Sequence, residues 1–193
     1  RPRHAYAFGW IHLWASLASR APSLVNLFTQ LPGLSSIAKW AAGVHPNRKI
    51  PAFAPQTFKQ WFESHQPRNP GGPAVVLFPD TFNNHFHPDV AIAATEVLEE
   101  AGFCVQVPTA DVCCGRPLYD YGFLDMAKRW WIDLLHKLEP YYRNDVPMVV
   151  LEPSCWSAFV DELGSLMPNS EDGKRLSKLT FTLSDFLRSH APN

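Results

Sequence analysis

From Pro73 onward the chain alternates short apolar runs with helical segments, and this alternation restricts the fold more than any other feature. Ala74–Phe78, Phe103–Val107 and Met148–Leu151 have the length and apolar character of strands buried on both faces. A helix is predicted between the first two, Pro88 to Ala101, with proline at its first position and Gly102 just past its end. Another runs from Phe123 to about Leu138, where Leu124, Ala127, Trp131, Leu134, Leu135 and Leu138 form one stripe. A third helix is expected over Ser154 to Leu163, a short strand over Thr180–Leu183, and a last helix near Ser184 to Arg188. Strand, helix, strand in this order predicts an α/β fold: a Rossmann-like three-layer sandwich with a mostly parallel sheet over residues 73–193.

Two different segments come first. Residues 1–45 read as a helical arm without a sheet, with Trp10, Leu13, Trp14 and Leu17 on one helical face and Leu24, Leu27, Phe28 and Leu31 on another. Pro22-Ser23 separates these helices, Pro32-Gly33 ends the second, and a short third spans Ser36 to Ala42 before Gly43. Residues 46–72 hold Pro51, Pro55, Pro67, Pro70 and Gly71-Gly72, which predicts an irregular connection with one helical turn near Phe58 to Phe62.

Charge divides along the same line. Formal net charge is −1, yet seven Lys/Arg (Arg1, Arg3, Arg20, Lys39, Arg48, Lys49, Lys59) precede the first acidic residue, Glu63. Such an arm can lie on the acidic body, on a neighbouring domain or on an anionic lipid surface, and its apolar content favours packing within a larger protein. The cations are scattered singly rather than clustered with aromatics along a groove, which argues against nucleic acid as a partner. No apolar run approaches the about 20 residues of a membrane span, although peripheral membrane association stays open. The chain opens Arg1-Pro2-Arg3, with neither an initiator methionine nor a signal pattern, and reads as part of a longer polypeptide. Four cysteines, two of them adjacent, do not form the framework of a small secreted domain. A reducing, cytoplasmic setting is the expectation.

In an open parallel sheet, ligands collect beyond the carboxyl ends of the strands. The three loops placed there are Pro79-Asp80-Thr81-Phe82-Asn83-Asn84-His85-Phe86-His87, Asp111-Val112-Cys113-Cys114-Gly115-Arg116-Pro117 and Glu152-Pro153-Ser154-Cys155. Thiolates are the preferred ligands of iron–sulfur clusters and also bind zinc, so three cysteines with a carboxylate nearby suit a metal site. Cys155 stands at a predicted helix start, where unpaired amides would lower its pKa.

Plainer readings stand beside these. Cys113-Cys114 also suits a tight turn with small buried side chains, and Cys155 a core position. Cys104, inside a strand, reads as core. His85 and His87 suit metal or substrate binding, or surface and capping roles, with His87 as a helix cap before Pro88. Asn83 and Asn84 suit a turn. Trp130-Trp131 and the arm's aromatics read as packing.

On the stretches Phe78-Pro-Asp-Thr-Phe-Asn-Asn-His-Phe86, Cys113-Cys-Gly-Arg-Pro-Leu118 and Leu151-Glu-Pro-Ser-Cys155, the chain resembles the cysteine-rich CCG domain family over nearly its whole length. That family includes the B-type component of heterodisulfide reductase and the iron–sulfur component of glycolate oxidase. Within it the chain is most similar to the carboxy-terminal region of large fused FAD-linked oxidoreductases of D-2-hydroxy acids such as D-lactate or D-2-hydroxyglutarate. The arm resembles the linker that follows a ferredoxin-like segment there. The fuller pattern has a cysteine after the first strand, the adjacent pair, then Cys-x-x-Cys, whereas this chain has Asp80 and Ala158 at the outer positions. Two such halves are usual, and one is present.

The resemblance implies an iron–sulfur electron-transfer module, with 4Fe–4S as the leading cluster type and Cys113, Cys114, Cys155 and Asp80 as its ligands. It implies Asn84, His85 and His87 in the substrate or cluster vicinity. FAD would sit in the parent protein rather than in these residues, and the flavin and ferredoxin-like domains of that parent, with the second CCG half, would be its partners. Neither a flavin-binding motif nor a ferredoxin cysteine run occurs here, so the isolated chain is expected to be inactive toward a hydroxy acid. A structural or interaction domain without a cluster, and a zinc-stabilised module, are the alternatives.

Overall fold

The computed structural model describes residues 1–191. The arm comprises four helices, α1 (Arg3–Gly9), α2 (Ile11–Ala18), α3 (Pro22–Gln30) and α4 (Leu34–Ala42), followed after the proline-rich connection by α5 (Phe58–Ser64). The capping box of Thr57 and Gln60 explains the start of α5: each side chain satisfies a backbone N–H of the other residue.

The body continues β1 (Ala74–Leu77), α6 (Thr81–His85), α7 (Pro88–Glu100), β2 (Cys104–Gln106), α8 (Arg116–Asp120), α9 (Leu124–Tyr142) and β3 (Met148–Val150). It closes with α10 (Pro153–Ser157), a π-helical turn Ala158–Glu162, α11 (Leu163–Leu166), α12 (Glu171–Lys178), β4 (Thr180–Thr182) and α13 (Leu183–His190). All four strands pair in parallel, in the order β2-β1-β3-β4.

Alternation along the strands divides the core into two layers. Val76, Phe78, Met148 and Val150 face α9 and the α10–α12 segment, where Trp131, Leu134, Leu138, Phe159 and Leu163 are buried. Val75, Leu77, Val105 and Val149 face the other way, onto Phe58, Ala91, Leu98, Phe103 and Phe186. The result is the three-layer sandwich expected from the sequence. Each large side chain fully withdrawn from water contributes about 1.5–3 kcal/mol, which is what holds α9 and α7 to opposite faces.

The order matters for function. From β1 the chain turns to β2 on one side and then crosses to β3 on the other, so the direction reverses between β1 and β3. A crevice opens at such a reversal, beyond the carboxyl ends of the two strands.

Several sequence expectations need correction. The first arm helix is two, broken at Trp10. The loop expected after β1 is largely helix α6, so Asn83 and Asn84 are helical rather than a turn, and Arg116 opens a further short helix. Helices of five residues are too short to show periodicity. The segment α12 escaped notice although Ser170 caps it, Glu171 and Asp172 occupy its first turn, and Arg175 and Lys178 its last. Most instructive is the arm's orientation. Leu13, Trp14, Leu17, Leu24, Leu27 and Phe28 are exposed, and α2 buries His12 and Ala15 instead. The surface that receives α2 carries Thr81 and Asp111, so the polar side turns inward.

Candidate functional site

The three cysteine-bearing positions converge as the topology requires. Cys113, Cys114 and Cys155 are buried free thiols. They line a cavity of about 230 Å³ with Asp80, Thr81, Glu152, Ser154, Arg116, Pro117 and Tyr121, and arm residues Phe8 and Ile11 close one side. Cys104 is elsewhere, half-buried on β2.

The Cys-Cys-Gly turn is held from behind by the tryptophan pair. Trp130 Nε1 donates to the Cys113 carbonyl at 3.0 Å and Trp131 Nε1 to the Cys114 carbonyl at 2.6 Å. Gly115 follows at φ +74°, a left-handed conformation that L side chains disfavour, and a Cβ there would lie 2.8 Å from Trp131 Nε1 and 2.9 Å from Trp130 Cδ1. Only glycine lets both indoles reach the carbonyls. The tryptophans are packing, as the sequence suggested, and they also fix the orientation of two thiols.

Asp80 lines the cavity at the end of β1 and caps α6. Its Oδ1 accepts from the Phe82 and Asn83 backbone N–H groups at 3.0 Å each, and its Oδ2 accepts from Asn83 Nδ2 at 2.7 Å. Burial raises its pKa against those hydrogen bonds. Glu152 is raised by burial and by the charge of Asp80. Arg116 pairs with Glu162 at 2.9 Å and lies 3.7 Å from Asp120, so most of its charge is answered within the protein.

The thiols resist ionisation. The adjoining Cys114 thiol and burial push Cys113 well up, and Cys114 is likewise raised well above its ordinary value, Cys155 and burial outweighing the opposing effect of Cys113. Cys155 corrects an expectation. Its contact with Cys114 lowers the pKa, but burial and the negative groups Asp80, Cys113 and Glu152 raise it by more, so the helix start does not yield a low-pKa thiol. Closely spaced buried sulfurs in an acid-lined cavity are the donor set that a cationic centre relieves, soft thiols beside the harder Asp80 and Glu152. Among the described residues, no group of three or more His, Cys, Asp or Glu is arranged to hold a metal ion.

The remaining expected residues lie outside the cavity lining. His85 is buried; its Nε2 is 3.2 Å from Asn84 Nδ2 and its Nδ1 has no partner. Burial and nearby His12 push its pKa down to about 4. Asn84 accepts from the Lys59 backbone N–H at 3.1 Å. His87 occupies the cap position of α7, but its exposed side chain makes no cap hydrogen bond. Sequence reasoning missed His12, whose only signal was a histidine set among the aromatics of the arm. It also missed the role of Thr81, which the fold places beside Cys113.

Fold and site together define a class: a parallel α/β domain with three buried thiols at its topological switch point. No family model and no solved structure matches the chain. Among curated proteins, it is 26% identical over 165 residues to the C subunit of the anaerobic glycerol-3-phosphate dehydrogenase of Escherichia coli, covering 84% of this chain and 42% of that protein. It is 30% identical over 117 residues to lactate utilization protein A of Geobacillus kaustophilus and 26% identical over 116 residues to that of Bacillus subtilis, in each case covering 58% of this chain and 47% of the relative. The chain thus spans less than half the length of these relatives. Among the described residues, no helix is long and apolar enough to cross a membrane.

Proposed function

We propose that this chain is an iron–sulfur electron-transfer module of a flavin-linked dehydrogenase that acts on a small hydroxy acid in the cytoplasm. The observation that carries the reading is the convergence of the buried thiols Cys113, Cys114 and Cys155, from two loops distant in sequence, on one cavity at the switch point. The relatives, one a dehydrogenase component and the other a lactate utilization protein, support the oxidoreductase setting and a substrate of the lactate class, for which we propose D-lactate. D-2-hydroxyglutarate is the other substrate of the same class.

The cluster, when bound, supplies one-electron carriage. The protein's part is to hold three sulfurs in fixed directions and to limit their contact with water. The indoles of Trp130 and Trp131 lock the Cys113-Cys114 backbone, and Phe8 and Ile11 screen the cavity from the arm side. Asp80 and Glu152 are the carboxylates available for a fourth position, at a cost in softness. A single zinc ion needs four donors around one point, whereas three thiols are the donor type that iron–sulfur clusters prefer. Exposed apolar side chains on α2, α3 and α4 support docking against other parts of a larger protein, the proposed flavin and ferredoxin-like domains and a second cysteine-rich half.

Anaerobic purification of the full-length protein with iron and sulfide assays and visible absorption tests the reading. Stoichiometric iron and sulfide are expected. A colourless protein with neither, even after reconstitution, refutes it, and zinc without sulfide selects the zinc-stabilised alternative.

A further inference from the structure

One hydrogen-bonded chain in the molecule has no role in the function so far proposed. Asp111, after β2, accepts from Ser16 Oγ at 2.9 Å and faces His12 Nε2 at 3.3 Å. His12, on α2 of the arm, is 5% exposed and sets its Nδ1 3.2 Å from Thr81 Oγ1. Thr81 is buried in the first turn of α6, with its Oγ1 3.5 Å from Cys113 Sγ. The chain leads from the outer edge of the arm to one sulfur of the cavity.

Counting donors and acceptors gives its direction when that sulfur holds a metal. A metal-bound thiolate has no proton, so the single hydroxyl hydrogen of Thr81 points to Cys113 Sγ. The Thr81 oxygen is then left to accept, and His12 Nδ1–H is the donor that faces it. The Asp111 carboxylate accepts only, so Nε2–H points outward to it. The electrostatics agree: burial disfavours protonated His12, but the hydrogen bond to Asp111 and the negative charges of Cys113 and Asp111 outweigh it and raise its pKa.

We propose that His12 and Thr81 are positioning residues for Cys113, through which the arm aims one hydroxyl donor at this sulfur and favours the reduced form of the group it holds. The inference rests on the iron–sulfur reading. Reduction adds negative charge, and a donor to sulfur stabilises the more negative state; hydrogen bonds to sulfur are among the factors that set such potentials. A structural pin between arm and body would use the same contacts but would leave the potential unchanged.

The test compares anaerobically reconstituted full-length wild type with Thr81→Val, Thr81→Ser and His12→Gln, by iron and sulfide content and by a redox titration followed optically. Thr81→Val is expected to load normally and to shift the equilibrium about tenfold toward the oxidised form, about 59 mV for one electron. Thr81→Ser restores the wild-type value, and His12→Gln shifts it in the same direction as valine by a smaller factor. If Thr81→Val does not load, His12→Gln carries the measurement. Loaded variants that titrate with wild type overturn the positioning role alone. Failure of both to load, with Thr81→Ser normal, assigns the chain to folding and overturns it too. Wild type without iron and sulfide overturns the iron–sulfur reading, and this inference with it.

Discussion

Replacing Gly115 by alanine perturbs the thiol turn without touching a sulfur, and the cost follows from three contributions. At φ +74°, a Cβ costs about 1–2 kcal/mol in backbone strain. At 2.8 Å from Trp131 Nε1 and 2.9 Å from Trp130 Cδ1, it forces rigid indoles rather than a flexible chain end to move, and such overpacking costs about 1–3 kcal/mol. The displaced indoles weaken two hydrogen bonds to the Cys113 and Cys114 carbonyls, each contributing about 1 kcal/mol. The contributions overlap, so the expected loss is about 4 kcal/mol. Gly102→Ala is the control, because its φ is +92° but nothing lies within 4 Å of the added carbon, leaving only the strain of about 1–2 kcal/mol. Urea unfolding followed by tryptophan fluorescence measures both. With a slope of about 2 kcal/mol per molar, Gly115→Ala lowers the midpoint by about 2 M and Gly102→Ala by about 0.5–1 M. Equal shifts would show that the indoles yield freely and that the tryptophan pair does not hold the turn.

Three further outcomes follow from the same contacts. Cys155→Ser is expected to remove most of the bound iron and Cys104→Ser little of it, measured on reconstituted protein; equal losses contradict the assignment of Cys155 to the site. His85 has its folded pKa at about 4 against an ordinary 6.5, so between those values the unfolded chain binds the extra proton and stability falls as pH is lowered. The gap between about 4 and 6.5 corresponds to about 3 kcal/mol at most, and His85→Phe should flatten this part of the stability curve relative to wild type. Finally, the fully buried Glu99 side chain pairs with His65 at 2.8 Å, so His65→Leu should destabilise by about 3 kcal/mol, and adding Glu99→Leu should recover most of it in the same unfolding assay.

The sheet was legible because its strands are apolar runs bounded by clear helix signals. Parallel order and strand-end loops then place Cys113, Cys114 and Cys155 at one edge from the sequence alone. Periodicity failed in two ways. It cannot register helices as short as α6 and α8, which a capping Asp80 and a left-handed Gly115 set up locally. It also assumes that apolar faces turn inward, whereas α2 meets Thr81 and Asp111 and buries His12 toward them. The pKa of Cys155 was misjudged because position on a helix is visible in sequence, while the negative neighbours contributed by other loops are not. His12 illustrates the same limit, since Thr81 and Asp111 lie 69 and 99 residues from it along the chain.

The distribution of the site over α2, the end of β1, the loop after β2 and the start of α10 sets an order of events in biogenesis. No two neighbouring elements assemble the cavity, and its last thiol arrives only when β3 has crossed over β1 to pair on the far side. Contacts of such long sequence separation form late in folding. A nascent chain therefore presents its sulfurs one segment at a time, and a chain interrupted before residue 155 has no complete pocket to fill. Under the proposed reading, loading is thereby tied to the docking of β3 beside β1, so a filled site would report that this crossover had formed.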